Sequence, residues 1–122
     1  MNVGKTNKSK TGMIGENIAR KFLQKKGYTI VEQNFRTKYS EMDLVVKKKD
    51  LLVFVEVRTK TNEYFGSPEQ TINKDKINRL IRSAQAYVAY NKYSGNYRID
   101  AVCIVLNPDD SPQRISHYQS IT

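Results

Sequence analysis

Glu41-Met42-Asp43-Leu44-Val45-Val46-Lys47-Lys48-Lys49-Asp50-Leu51-Leu52-Val53-Phe54-Val55-Glu56-Val57-Arg58-Thr59-Lys60 reads as a β-hairpin with acids where apolar residues belong. Two apolar segments flank the charged turn Lys48-Lys49-Asp50, and Asp43 and Glu56 each interrupt one of them. A carboxylate buried without a partner is costly, so such acids call for a cation, a set of hydrogen-bond donors or a metal ion. Side chains alternate faces along a strand. Glu41, Asp43 and Val45 therefore share one face of the first strand, and Phe54, Glu56, Arg58 and Lys60 share one face of the second. A connection over residues 48–51 pairs position 47 with 52 and hence Asp43 with Glu56; a two-residue connection sets Glu41 opposite Glu56, with Asp43 on the diagonal. In either register the acids lie within side-chain reach of one another, which is unfavourable without an intervening cation.

The rest of the chain bounds what this hairpin can belong to. With 122 residues the protein is large enough for one core and too small for two. Lysine and arginine number 21 against 12 aspartates and glutamates, a net charge of +9. That excess points to a polyanion as partner, most often nucleic acid; a basic protein without such a partner is the competing reading. No apolar stretch approaches the roughly 20 residues needed to span a bilayer. Met1 to Thr11 is polar and basic, without the apolar core of a signal peptide. The single cysteine, Cys103 in Ala-Val-Cys-Ile-Val, reads as a buried strand residue. Together these features suggest a cytoplasmic setting.

Residues 1–11 read as a disordered basic tail, and residues 12–122 as a single domain. Ile14, Ile18, Ala19, Phe22 and Leu23 have helical spacing, which places a helix over about 12–26, stopped at Gly27. On that helix Glu16 falls about 20° from Leu23, at the border of the buried stripe. Strands follow at 28–36, 41–47 and 51–60. Ser67-Pro68-Glu69-Gln70 has the pattern of a helix start. A longer helix covers about 74–91 on an apolar stripe of Ile77, Leu80, Ile81, Ala84 and Val88. Lys74, Lys76, Arg79 and Arg82 lie on its other faces, as a solvated surface or as a track for phosphates. The tyrosines near its end can stack on bases, but their spacing favours packing on the core, Tyr87 above all. A strand at 97–106 contains a third acid, Asp100, with Arg98 as a candidate partner, and a short edge strand closes the chain at 114–119. His117 has no recognisable partner. The fold expected is α/β, a mixed sheet flanked by helices in the order α-β-β-β-α-β-β.

Glu16, Asp43 and Glu56, with the cations Arg58 and Lys60, suit metal-assisted hydrolysis of a phosphodiester. Mg²⁺ prefers oxygen ligands and keeps several waters. Asp43 and Glu56, aided by the backbone carbonyl of Val57, can hold it, and a cation on the Glu56 face can orient a water or stabilise charge on phosphate. There is no cysteine–histidine pair, P-loop, dinucleotide fingerprint or zinc-ligand spacing to compete.

The spacing acid, x12, Glu-x-(Lys/Arg), with a helical glutamate upstream, resembles the PD-(D/E)xK nuclease superfamily. More narrowly, the chain resembles the YraN-like family of small endonucleases, similar in fold to archaeal Holliday-junction resolvases. The likeness runs over about 12–106, through Gly15-Glu16, Gly27-Tyr28, Asn34-Phe35-Arg36, Glu41-Met42-Asp43-Leu44, Val53 to Arg58, Phe65-Gly66-Ser67-Pro68 and Arg98-Ile99-Asp100. The resemblance implies a restriction-endonuclease-like sheet and a Mg²⁺- or Mn²⁺-dependent nuclease acting on DNA, branched or otherwise structured. It implies metal ligation by Asp43 and Glu56, with Glu16 as an accessory acid and Arg58 as the motif's basic residue. The superfamily pattern prefers lysine there, and arginine cannot be deprotonated to serve as a base; Lys60, on the same face, is a candidate substitute. Two symmetric cuts, as in a resolvase, imply a homodimer. Two rivals remain: a non-catalytic nucleic-acid-binding module on the same fold, and a structural ion-pair network that fixes the hairpin register.

Overall fold

A computed structural model describes residues 8–122 of the chain. Helix α1 spans Lys10–Lys25. It starts two residues earlier than its apolar spacing suggests, because the Ser9 side chain caps it by accepting the Gly12 N–H at 3.0 Å. The basic tail expected over 1–11 lies, as far as residue 7, outside the described residues. Gly27 ends the helix at φ 95°, a conformation open to glycine. The Tyr28 N–H then bonds back to the Leu23 carbonyl and the Gly27 N–H to that of Gln24, a terminus whose apolar contact joins Tyr28 to Leu23 in the core.

Five strands follow the expected order: β1 (Thr29–Arg36), β2 (Glu41–Lys48), β3 (Leu51–Lys60), β4 (Asn96–Leu106) and β5 (Pro112–Tyr118). Helix α2 (Lys74–Tyr90) connects β3 to β4. The strands lie side by side in the sequence order, antiparallel except for β3 and β4. A parallel pair needs a crossover, and α2 supplies it. The central strands β3 and β4 are covered on both faces, which explains their nearly unbroken apolar sequence. On one face Ala19 and Leu23 of α1 pack against Val46, Val53, Val55, Val102 and Ile104. On the other, Leu80, Ala84 and Tyr87 of α2 pack against Val45, Phe54 and Ile99. Tyr87 lies edge-on to Phe35 and Phe54, a core role rather than a stacking platform.

Ser67 and Gln70 form the reciprocal cap their sequence suggests, yet the helix after it is a single 3-10 turn, Glu69–Thr71. The chain then straightens at Asn73, whose side chain accepts the Lys76 N–H and starts α2 afresh. His117 does have a partner: its Nε2 lies 2.8 Å from Asp100 Oδ2, in a group completed by Arg98, Tyr28 and the Ser120 N–H. This group ties the end of α1 and the C-terminal segment to β4. Cys103 is fully buried, as expected, and burial pushes its thiol up to about 12.

Candidate metal centre

The hairpin adopts the first of the two registers left open. Lys47 pairs with Leu52, and Lys48 with Leu51 around a turn in which Lys49 has φ 55°. The β2–β3 ladder then stops at Leu44↔Val55. Beyond it β2 stays paired with β1 as far as Glu41, and β3 with β4 as far as Lys60. The two strands thus part at the level of Asp43 and Glu56. Parting leaves a ladder donor without its strand partner, and Asp43 supplies the substitute: its Oδ2 accepts the Val57 N–H at 2.8 Å.

Helix α1 enters this cleft from one side. Gly15 makes the approach feasible, since a Cβ there would sit 1.7 Å from Thr59 Oγ1 and 2.7 Å from Thr59 Cβ. The next residue, Glu16, is consequently buried against the parted strands. One carboxylate oxygen from each of Glu16, Glu41 and Asp43 falls within 4.8 Å of the other two. The Lys8 ammonium sits among them, 2.5 Å from Asp43 Oδ1 and 2.8 Å from Glu41 Oε1, and pairs with Glu16. Those three acids hold the Lys8 amine well above its ordinary range, although burial alone would lower it. With its amide nitrogen turned to the acids, Asn34 donates to Glu16 at 2.9 Å and to Glu41 at 3.1 Å.

Glu56 faces the same cleft but keeps different company. Its Oε2 lies 2.9 Å from Arg58 Nη2 and 3.4 Å from Lys76 Nζ, while its Oε1 is buried with no hydrogen-bond partner among the described residues. Glu41 Oε2 is likewise buried without a hydrogen bond from the described residues, with Arg36 Nη1 at 3.9 Å. A cavity of about 450 Å³ is lined by all four acids together with Lys60, Pro68 and Thr71. Unmatched buried oxygens, and a cation drawn into the acid group, show a donor set that wants positive charge. The acids fit a hard metal ion, which takes oxygen ligands.

Several of these positions differ from the sequence expectation. The oxygens that converge come from Glu16, Glu41 and Asp43, whereas the sequence reading makes Asp43, Glu56 and the Val57 carbonyl the ligands and Glu16 an accessory acid. Lys76 lies off the apolar stripe like Lys74, Arg79 and Arg82, yet it turns inward to Glu56. Arg79 and Arg82 line a separate hollow with Lys38 and Tyr39, where the Arg82 guanidinium lies 5.9 Å from the Tyr39 ring centre. Lys74 is exposed at the start of α2. Lys8 and Asn34 had no sequence signal as members of the site.

Burial raises Glu16 to about 7, with the Asp43 and Glu41 charges acting the same way against Lys8. Burial and the neighbouring Asp43 raise Glu56 to about 8, against the pull of Lys76 and Arg58. A raised native pKa means that the native state keeps a proton that the unfolded chain has released. The contribution of these two acids to stability without metal is therefore full below about pH 4.5, the ordinary glutamate range, and is lost as pH rises through about 7 and 8. The carboxylates with lowered values, Asp100 and Glu69, act oppositely, contributing above their ordinary range and losing that contribution in acid. Between pH 5 and 8 Glu16 and Glu56 should dominate, so the midpoint of urea unfolding in EDTA should fall across that window. A flat or rising midpoint would contradict the burial of these acids.

Fold and cleft together define an α/β protein with a buried carboxylate group that can hold a metal ion. Among the described residues no helix is long and apolar enough to cross a membrane. The chain belongs to the uncharacterised protein family UPF0102, whose profile matches residues 15–104. A UPF0102 protein of Caldanaerobacter subterraneus subsp. tengcongensis is 37% identical over 115 residues, covering 93% of this chain and 94% of that one. One from Syntrophomonas wolfei is 40% identical over 107 residues, covering 87% and 91%. One from Clostridium botulinum is 38% identical over 100 residues, covering 79% and 80%.

Proposed function

We propose that the protein is a Mg²⁺- or Mn²⁺-dependent endonuclease that hydrolyses phosphodiester bonds in DNA, of the YraN-like kind within the PD-(D/E)xK superfamily. The observation that carries this reading is the convergence of Glu16, Glu41 and Asp43 on one cation-sized position beside Glu56. Glu16, Glu41 and Asp43 would hold the ion, with Glu56 and the Val57 carbonyl as further oxygen donors. Bound there, it would polarise a phosphoryl oxygen and lower the pKa of an attacking water. Arg58 would bind the phosphate, a task that its fixed charge suits. The lysine that the superfamily pattern prefers at Arg58 has two replacements at hand: Lys60 on the cavity rim and Lys76, 3.4 Å from Glu56. The hollow of Lys38, Arg79 and Arg82, together with Lys74 and the +9 charge, would follow the DNA backbone. A resolvase-like reaction with two symmetric cuts would need a homodimer.

The test is incubation of purified protein with branched, single-stranded and duplex DNA, with Mn²⁺, Mg²⁺ or EDTA. Cleavage that depends on the ion supports the reading; cleavage that persists in EDTA opposes it. One observation favours a second reading, a DNA-binding module without catalysis: Arg58, in the lysine position, is held 2.9 Å from Glu56. That reading expects salt-sensitive DNA binding with no cleavage in either metal.

A further inference from the structure

Tyr64 and Phe65 are neighbours in sequence, and they are 86% and 97% exposed. Both lie on the segment between β3 and the 3-10 turn. Leaving a phenylalanine in water forgoes most of the stabilisation its burial offers. Two adjacent aromatics in that state mark a contact surface more often than a lone exposed one does.

The segment holds them there by construction. Its first turn is closed by the Asn62 side chain accepting the Tyr64 N–H, and by the Gly66 N–H bonding to the Glu63 carbonyl. Gly66 has φ 122°, which turns the chain sharply after Phe65. The Ser67–Gln70 cap fixes the far end. From β5, Arg114 grips both sides of the segment, reaching Glu63 at 3.1 Å and Glu69 at 2.5 Å, while the Tyr118 hydroxyl donates to Glu69. The acids near the tip are thus matched by a guanidinium, and the aromatic pair projects from a fixed base. That base adjoins the candidate metal centre: Lys60 before the segment and Pro68 after it both line the cavity.

From this geometry we infer that Tyr64 and Phe65 stack on nucleobases left unpaired or unstacked beside the cut site. The substrate class would then be DNA with a break in base stacking, such as a junction or a boundary between duplex and single strand. The inference rests on the DNA reading above and gives it a substrate preference. An aromatic face accepts any base, and stacking does not require sequence. Continuous duplex has no open base face to offer the pair, whereas a branch point does.

Fluorescence of 2-aminopurine placed at and away from the branch point of a DNA junction, in EDTA so that no strand is cut, reads the contact directly. Wild-type protein should quench the probe at the branch point and bind junction DNA more tightly than duplex. Phe65→Ala and Tyr64→Ala should each weaken junction binding roughly 5- to 100-fold, abolish the quenching and leave duplex affinity and Mn²⁺ binding as they were. Equal junction affinity and quenching in wild type and Phe65→Ala would overturn the inference while leaving the nuclease reading intact. Loss of cleavage competence in every metal, with quenching retained, would do the reverse. A wild-type dimer that becomes monomeric in Phe65→Ala, without DNA, would show that a second copy covers the pair instead, and would also overturn it.

Discussion

Asp43→Ala should reduce metal-dependent DNA cleavage by more than a hundredfold. Groups that merely support metal ligands are worth about 10- to 100-fold in affinity or activity, and a direct ligand should exceed them. Asp43 makes two contacts in the cluster, Oδ1 toward the cation position and Oδ2 on the Val57 N–H. Alanine removes both contacts at once. Losing the second would leave a buried amide without an acceptor, at a cost of about 1–3 kcal/mol, partly offset by relief of repulsion among the acids. Asp43→Asn separates the two effects. Its carbonyl oxygen can still accept from Val57, so the fold should persist while cleavage is lost as fully as in alanine. Cleavage unchanged in Asp43→Ala would remove this residue from the reaction.

Gly15→Ala should be the most damaging of the small substitutions to stability. Alanine is a better helix former than glycine by about 1 kcal/mol, which alone would favour the variant. Against that stand three Thr59 atoms within 3 Å of the new methyl, the nearest at 1.7 Å. Thr59 is short and branched at Cβ, so no rotation clears the contact, and α1 must move away from β3. Overpacking of this kind costs about 1–3 kcal/mol and occasionally more, and contacts this close belong at the upper end. A net loss of about 2 kcal/mol is expected from urea unfolding. Thr59→Ala in the same chain removes two of the three crowding atoms and should restore part of it. The displaced helix carries Glu16, so Gly15→Ala should also weaken metal binding. Unchanged stability would contradict the close approach of helix and strand.

How far the sequence could be read follows from the reach of its periodicities. The strands were legible because acids stood out against apolar runs, and counting narrowed the hairpin to two registers, between which the structure decides. Asp43 and Glu56 announced themselves by interrupting such runs. Glu41 did not, because as the first residue of its strand it interrupts nothing. Lys8 was hidden for another reason: it precedes the helical pattern, and its partners Glu41 and Asp43 lie on a strand distant in sequence. Lys76 sits off the apolar stripe of α2, and a helical wheel cannot show that an acid on β3 meets it there. The helix start at Ser67 is genuine, but no periodicity tells that it yields a single 3-10 turn; what ends it is Asn73 taking up the cap of α2. The partner of His117 is Asp100, on the adjacent strand, which no local pattern reports.

The cluster of Glu16, Glu41 and Asp43 either receives a divalent ion or serves as a structural network closed by Lys8. Calorimetric titration of Mn²⁺ into wild type, Lys8→Ala and Asp43→Asn distinguishes the two. A metal centre gives one saturable heat in wild type and loses it in a folded Asp43→Asn. It also binds at least tenfold more tightly in Lys8→Ala, where no ammonium competes. Tenfold corresponds to about 1.4 kcal/mol, well within the ~4 kcal/mol attraction of unit charges ~4 Å apart at an effective dielectric of ~20. Absence of a saturable heat in both wild type and Lys8→Ala, or a heat unaltered by Asp43→Asn, would contradict the metal centre.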